Sequence, residues 1–291
     1  MYLNRARRIS SFVLAAVALT TSTAVPASAQ GSTGPDRTIA VTGAIDFRNA
    51  YMFRGIRQDD TGVVGWPYAD FALRVYAGEG ALKNVRAHVG TWNSLNSGWA
   101  GSGGPSGKRW YESDSYATLA LGFGGGVNIG TTYTHYRSPN SMFTPVKEIA
   151  VRVAVDDRGA LGRAAVTPYA LVAFELDTKA GVGQVDGGPN AGRYLELGVA
   201  PGYALKRVGL GFPVKVGLSL GDYYESAGKD NRFGFVSVAG IVTVPLAGST
   251  RLGSWNVHGG VEYQKLGTTT KAINNGDGSK TIESIGIGFS Y

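Results

Sequence analysis

From residue 38 onward the chain is written in short runs in which apolar residues recur at every second position. The clearest run is 116–123. There Ala117, Leu119, Leu121 and Phe123 share one face, and Tyr116, Thr118, Ala120 and Gly122 share the other. A period of two is that of an extended strand, whose successive side chains point to opposite faces. The same pattern recurs in 39–47, 71–75, 127–133, 149–155, 195–199, 210–220, 255–263 and 285–291. Weaker segments at 85–91, 166–176 and 233–244 bring the count to about twelve strands, within the even-numbered range of bacterial barrels. No later run reaches the roughly 18 consecutive apolar residues that a membrane-crossing helix needs.

The links between these strands alternate in length. Short ones fall near 78–82, 124–126, 156–162, 205–208 and 246–253, and long polar ones near 56–65, 97–108, 138–144, 177–192, 222–231 and 268–280. Short periplasmic turns and long outer loops are the mark of an up-and-down outer-membrane barrel. Strands of ~10 residues rising ~3.3 Å each and tilted ~40° give the ~25 Å of height that such a membrane requires. The predicted fold class is therefore all-β, a transmembrane up-and-down antiparallel β-barrel of about 12 strands over 38–291, with both ends in the periplasm. A soluble β-sandwich would share the alternation, but the small polar partner face is poor material for a protein core.

The last strand, Ser284-Ile285-Gly286-Ile287-Gly288-Phe289-Ser290-Tyr291, points the same way. Gly286, Phe289 and Tyr291 occupy the positions of the C-terminal signal by which outer-membrane barrels engage the barrel-assembly machinery. At the other end, Arg5, Arg7 and Arg8 precede the apolar run 12–19 and the small-residue stretch Ala27-Ser28-Ala29. This reads as a signal peptide over 1–29, followed by a short periplasmic segment 30–37, so export to the cell outer membrane of a Gram-negative organism is expected.

Removal of 1–29 leaves 25 Lys and Arg against 21 Asp and Glu, a net charge of +4. The basic residues are scattered singly, so nothing tracks a phosphate backbone and no nucleic-acid partner is expected. The absence of cysteine argues against a disulfide-stapled scaffold, thiolate metal sites or a Cys nucleophile. With 44 glycines in 291 residues and a mean hydropathy of −0.04, the chain is far less apolar than a helical membrane protein.

The stretch Tyr51-Met52-Phe53-Arg54-Gly55-Ile56-Arg57-Gln58 follows the first strand and precedes the segment Val89-Gly90-Thr91-Trp92. It resembles the TorF-type porin family of outer-membrane β-barrel proteins, whose early strand carries a similar Tyr-x-Phe-Arg-Gly core with a following Gln. Where that pattern has a hydroxyl or an acid just before the Tyr, this chain has Asn49-Ala50. The resemblance implies a barrel and a pore, without a solute.

If the apolar positions face lipid, the opposite positions line the lumen. They include Asp46, Arg48, Arg54, Asp70, Arg74, Arg86, His88, Asp114, Glu148, Arg152, Glu175, Glu196, Lys215, His258 and Glu262. Inward placement is close to forced, because Arg or Lys on the lipid face costs about 2–4 kcal/mol near the midplane. These charges read as a constriction that selects solutes by sign and size, with Arg54 at the outer end of the first strand and Arg48 below it as the leading lumen-lining positions. The alternative is that the charges pair and fill the lumen. Trp66, Trp92, Trp99 and Trp110 near outer strand ends and Trp255 near an inner end read as an aromatic girdle at the lipid headgroups.

No catalytic, cofactor or metal set stands out. His88, His135 and His258 each read as a lone strand histidine, and the loop 274–278 lacks the spacing and closing Glu of a calcium loop. The expected function is passive transport of small hydrophilic or charged solutes by a non-enzymatic channel in contact with outer-membrane lipid. A plugged structural, adhesive or ligand-binding barrel is the alternative, an outer-membrane hydrolase a more distant one, and assembly into homo-oligomers stays open.

Overall fold

The computed structural model describes residues 37–101, 104, 108–177, 190–226, 228–246 and 253–291. The predicted signal peptide, the segment 30–36, and parts of the connections 97–108, 177–192 and 246–253 lie outside the described residues.

In chain order the strands are β1 (Ile39–Arg48), β2 (Tyr51–Phe53), β3 (Ile56–Asp59), β4 (Val64–Ala77), β5 (Leu82–Asn96) and β6 (Trp110–Phe123). Next come β7 (Val127–Tyr136), β8 (Val146–Val155), β9 (Tyr169–Glu175), β10 (Arg193–Val199), β11 (Gly202–Leu205) and β12 (Val208–Gly211). The last are β13 (Val214–Gly221), β14 (Glu225–Ser226), β15 (Lys229–Asp230), β16 (Phe233–Pro245), β17 (Ser254–Leu266) and β18 (Ser279–Ser290). Helix α1 (Arg158–Leu161) follows β8, and α2 (Thr268–Ile273) follows β17.

Twelve strands close into one antiparallel barrel in the order β1-β4-β5-β6-β7-β8-β9-β10-β13-β16-β17-β18, returning to β1. The seam runs from Thr42↔Ser290 to Arg48↔Ser284. Reciprocal backbone bonds between Val41 and Tyr291, 2.8 and 3.0 Å, extend it to the last residue. One end of the barrel carries Arg37, Tyr291 and the shorter connections, here the turn end. The other carries the longer connections, here the loop end.

The alternation has the predicted meaning. Ile45, Phe71, Val89, Leu119, Ile149, Val238, Val261 and Ile285 all point outward, and each is more than a third exposed. A continuous apolar exterior of this kind belongs against lipid. The opposite faces are polar and buried, and several of their glycines are packing devices. A Cβ on Gly286 would lie 2.5 Å from Asp46 Oδ1 and 2.6 Å from His258 Nε2, so only glycine on β18 lets β1 and β17 bond across it. Gly90 does the same on β5, where Tyr116 passes over it to donate to Asp70.

Two boundaries differ from the sequence reading. The run 210–220 is not one strand, because Pro213, which has no N–H to give a ladder, separates β12 from β13. β11 and β12 form a hairpin at the turn end, and β12 pairs with the edge of β16. The connection after β1 begins at Asn49, whose backbone N–H donates to Glu283 O and whose Oδ1 accepts the Glu283 N–H, ending the seam. Ala50 then turns the chain into the lumen, where β2 and β3 pair as a separate hairpin.

Candidate functional site

The hairpin β2–β3 is the Tyr-x-Phe-Arg-Gly segment, and it lies across the loop end of the lumen. Arg54 and Gly55 form its two-residue tip, with φ of +46° and +83°. Positive φ at both central residues is the signature of the turn that fits hairpin twist. For Arg the left-handed region costs about 1–2 kcal/mol, and it persists only where surrounding contacts fix it.

Those contacts are extensive. The guanidinium donates to both carboxylate oxygens of Glu148 at 2.7 and 2.9 Å and to the Tyr223 hydroxyl at 2.8 Å. It stacks over the Tyr194 ring, 4.1 Å from the centroid. The Tyr224 hydroxyl donates to the Arg54 carbonyl at 2.8 Å, and Gly55 sits against Phe235. Glu148 is on β8, the sixth strand around the wall, whereas the hairpin leaves between the first and second. Arg54 therefore bridges the full width of the lumen. Planar bidentate pairing together with aromatic stacking is what Arg, rather than Lys, supplies.

On the near side, Tyr51 donates to Glu112 at 2.7 Å and packs edge-on to Trp66 and Tyr111, with Trp92 beside it. Tyr111 donates to Gln58 of the hairpin at 2.8 Å. The connection after β17 holds the hairpin from above. Asn274 donates to the Gly55 carbonyl and accepts the Arg57 N–H, both at 2.8 Å. At the rim, Arg57 pairs with Asp277 and Asp60, and Lys280 with Asp60. Donation from Lys280, aided by Arg57, holds the Asp60 carboxyl below the usual carboxylate range.

Below the hairpin the inner wall is laced laterally. Asp46 bonds His258 at 2.7 Å, Arg48 pairs with Glu262 at 3.1 Å and stacks on Trp66, and Asp70 bonds His88 and Tyr116. Tyr169 and Tyr194 donate to Glu196, Lys215 lies 4.0 Å from Glu196, and Arg152 lies over the Tyr169 ring. Each of these contacts joins strands no more than two places apart around the wall.

Asp46, Arg48, Asp70, Arg74, Arg86, Asp114, Arg152, Glu196, Lys215 and Glu262 are thus placed on the inward side of barrel strands. Arg54 is not: it is the tip of the inserted hairpin, 2% exposed and committed to Glu148, and not a residue at the end of β1. Trp66 and Trp92 also depart from expectation. At 3% and 2% exposure they pack inside against Tyr51 and not at a lipid girdle. Trp255, outward beside Phe289 at the turn end, keeps a girdle position.

The sequence reading missed Tyr51, Glu112, Tyr194, Tyr223, Tyr224 and Asn274 as hairpin anchors. One signal was present, an Arg-Gly pair flanked by Phe53 and Ile56, which has the form of a two-residue turn inside what looked like a strand. Both ring nitrogens of His258 are engaged, by Asp46 and Asn256, so it has none left to activate a nucleophile. Thr118, opposite His88 in register, is bonded to Thr132. Among the described residues no group of three or more His, Asp or Glu gathers as a metal site.

The fold and its interior define a membrane β-barrel of twelve strands with an internal hairpin lying across the loop end of its lumen. No protein-family model matches the chain, and no curated protein does. Among solved structures, the chain is similar to the NanC porin, at 10% identity over 86% of this chain and 98% of that one, with a TM-score of 0.42. Outer membrane phospholipase A from Escherichia coli shows 13% identity over 85% and 92%, TM-score 0.43. The KdgM porin in complex with disordered oligogalacturonate shows 8% over 87% and 99%, TM-score 0.40. At these values the likeness carries no reading of solute or chemistry.

Proposed function

We propose that this chain is an outer-membrane channel for small hydrophilic solutes, with its loop end outside, its turn end in the periplasm, and its mouth closed here by the hairpin β2–β3. One observation carries the reading: among the described residues, the inner-wall contacts named below the hairpin run sideways along the wall, while Arg54 of the hairpin spans the lumen to Glu148. A lumen filled for stability alone would be bridged along its length. The predicted signal peptide and the last strand, with Gly286, Phe289 and Tyr291, fit export and insertion by the barrel-assembly machinery.

The depth of the Arg54 anchorage favours a second reading, a barrel closed permanently and serving as a surface-binding or structural element. Swelling of proteoliposomes in small sugars and salts separates the two. A channel admits these solutes above the protein-free rate, and faster when residues 51–59 are replaced by a short Gly-Ser linker. If both proteins insert correctly and neither admits solute, the channel reading fails.

A further inference from the structure

Arg54 meets the far wall as a ligand meets a receptor. Its guanidinium is held by groups from elements other than its own: the Glu148 carboxylate on β8 at 2.7 and 2.9 Å and the Tyr223 hydroxyl at 2.8 Å. The Tyr194 and Tyr223 rings lie 4.1 and 5.3 Å from the guanidinium carbon. Tyr136 on β7 donates to the same carboxylate at 3.3 Å. The Tyr194 and Tyr223 rings pack on each other with centroids 5.0 Å apart, and the Tyr194 hydroxyl donates to Glu196. None of these last three ties uses the hairpin, so the wall holds the set in place by itself. The occupant is less securely placed. β2 and β3 form a sheet of their own, so the tip can rise without breaking a ladder bond of the barrel wall. Arg54 also sits at φ +46°, a region that L side chains adopt at a cost.

We propose that Glu148, Tyr194 and Tyr223 form a guanidinium-binding site that Arg54 fills as a tethered ligand, and that small free solutes carrying a guanidinium group compete for it and release the hairpin tip. The site stands on the geometry alone; its consequence for opening rests on the channel reading. Solutes of this class supply each contact that Arg54 makes through its head group: a planar fork for the two carboxylate oxygens, a donor for the phenol and a cationic face for the rings. An alkylammonium matches the charge but has neither the fork nor the plane, so the site discriminates between two cations of equal charge. What the free solute lacks is the tether. Tyr224 on the Arg54 carbonyl and Asn274 on the Gly55 carbonyl hold the backbone of the tip, and they set the concentration at which a competitor acts. A short tether gives its ligand an effective concentration of about the millimolar range, so competition is expected at about 10–50 mM.

The probe is ethylguanidinium, which reproduces the Arg side chain beyond Cβ. Calorimetry on the full chain carrying Arg54→Ala, folded in detergent, is expected to show binding, and ethylammonium at the same ionic strength none. The wild-type chain should bind at least roughly tenfold more weakly, because its own Arg54 competes. In the Arg54→Ala background, Glu148→Gln should weaken binding by roughly tenfold or more and Tyr194→Leu by roughly threefold. If Arg54→Ala does not fold, the protein with a short Gly-Ser linker in place of residues 51–59 presents the same site and replaces it in the titration. Absence of binding in folded protein, equal binding of ethylammonium, or binding that Glu148→Gln leaves unchanged overturns the site. In planar bilayers, ethylguanidinium at about 10–50 mM should raise the open fraction of the wild-type chain, and ethylammonium should not. A chain that stays closed in ethylguanidinium while the linker variant conducts overturns the displacement. Silence of both proteins would remove the channel, and the calorimetry alone then decides the site.

Discussion

The two halves of the lumen are built on opposite principles. In the loop-end half, acids outnumber bases and the space is crossed by a hairpin whose Arg54 reaches Glu148 on the far wall. In the turn-end half bases predominate, and Lys215 and Arg152 meet near neighbours on the wall, Glu196 and Tyr169. Cross-lumen pairing ties the closed mouth to the stability of the barrel. Lateral pairing instead ties neighbouring strands of the wall to one another, as Lys215 to Glu196 and Arg152 to Tyr169. The two depths are therefore held by contacts of different reach, across the lumen at one end and along the wall below it.

The contrast is broken most severely at Glu148. Glu148→Ala leaves the Arg54 guanidinium buried without its counter-charge, and losing one partner of a buried pair costs about 3–5 kcal/mol. Denaturant unfolding should show that loss, together with a rise in solute flux. Gly286→Ala comes next, since a Cβ there displaces Asp46 from His258. The loss of that buried bond costs about 1–3 kcal/mol, in a position facing the wall and not the hairpin, so stability falls while flux does not. Asn274→Ala removes two hydrogen bonds to the hairpin at about 1 kcal/mol each, and hydrogen exchange of the Gly55 and Arg57 amides should quicken while those of β18 stay protected.

Smaller still is the acid response of the rim. Because Asp60 is held below its ordinary range in the folded state, its contribution is present at neutral pH and is lost only as pH falls below that range. Exposed pairs of this kind contribute about 0–1 kcal/mol, and Asp60→Asn should abolish the acid-dependent part of hairpin opening.

The barrel was legible because lipid enforces a strict rule on one face of every strand. Ala117, Leu119 and Val261 announce themselves by alternation, and the polar partners follow by elimination. The same rule cannot see inside. Tyr51, Met52 and Phe53 continue the apolar character of β1, so the point at which the chain leaves the wall carries no change in composition. Its cause is the Asn49 bonds to Glu283 and the small Ala50, which only the paired strand reveals. Trp66 and Trp92 were misplaced for the same reason, since an aromatic near a strand end is equally at home at a headgroup or against an inserted hairpin. Arg54 was read as a lumen-lining residue at the end of the first strand and is instead the hairpin tip, because its partner Glu148 lies 94 positions away, beyond any local pattern.

The central claim is that the hairpin β2–β3, anchored by Glu148, Tyr223, Tyr224 and Asn274, closes this barrel. Single-channel recording in planar bilayers tests it most directly, comparing the full chain with the variant in which a short Gly-Ser linker replaces residues 51–59. The account predicts rare or small openings for the full chain and steady, larger conductance for the variant. A folded, inserted variant as silent as the full chain would contradict it.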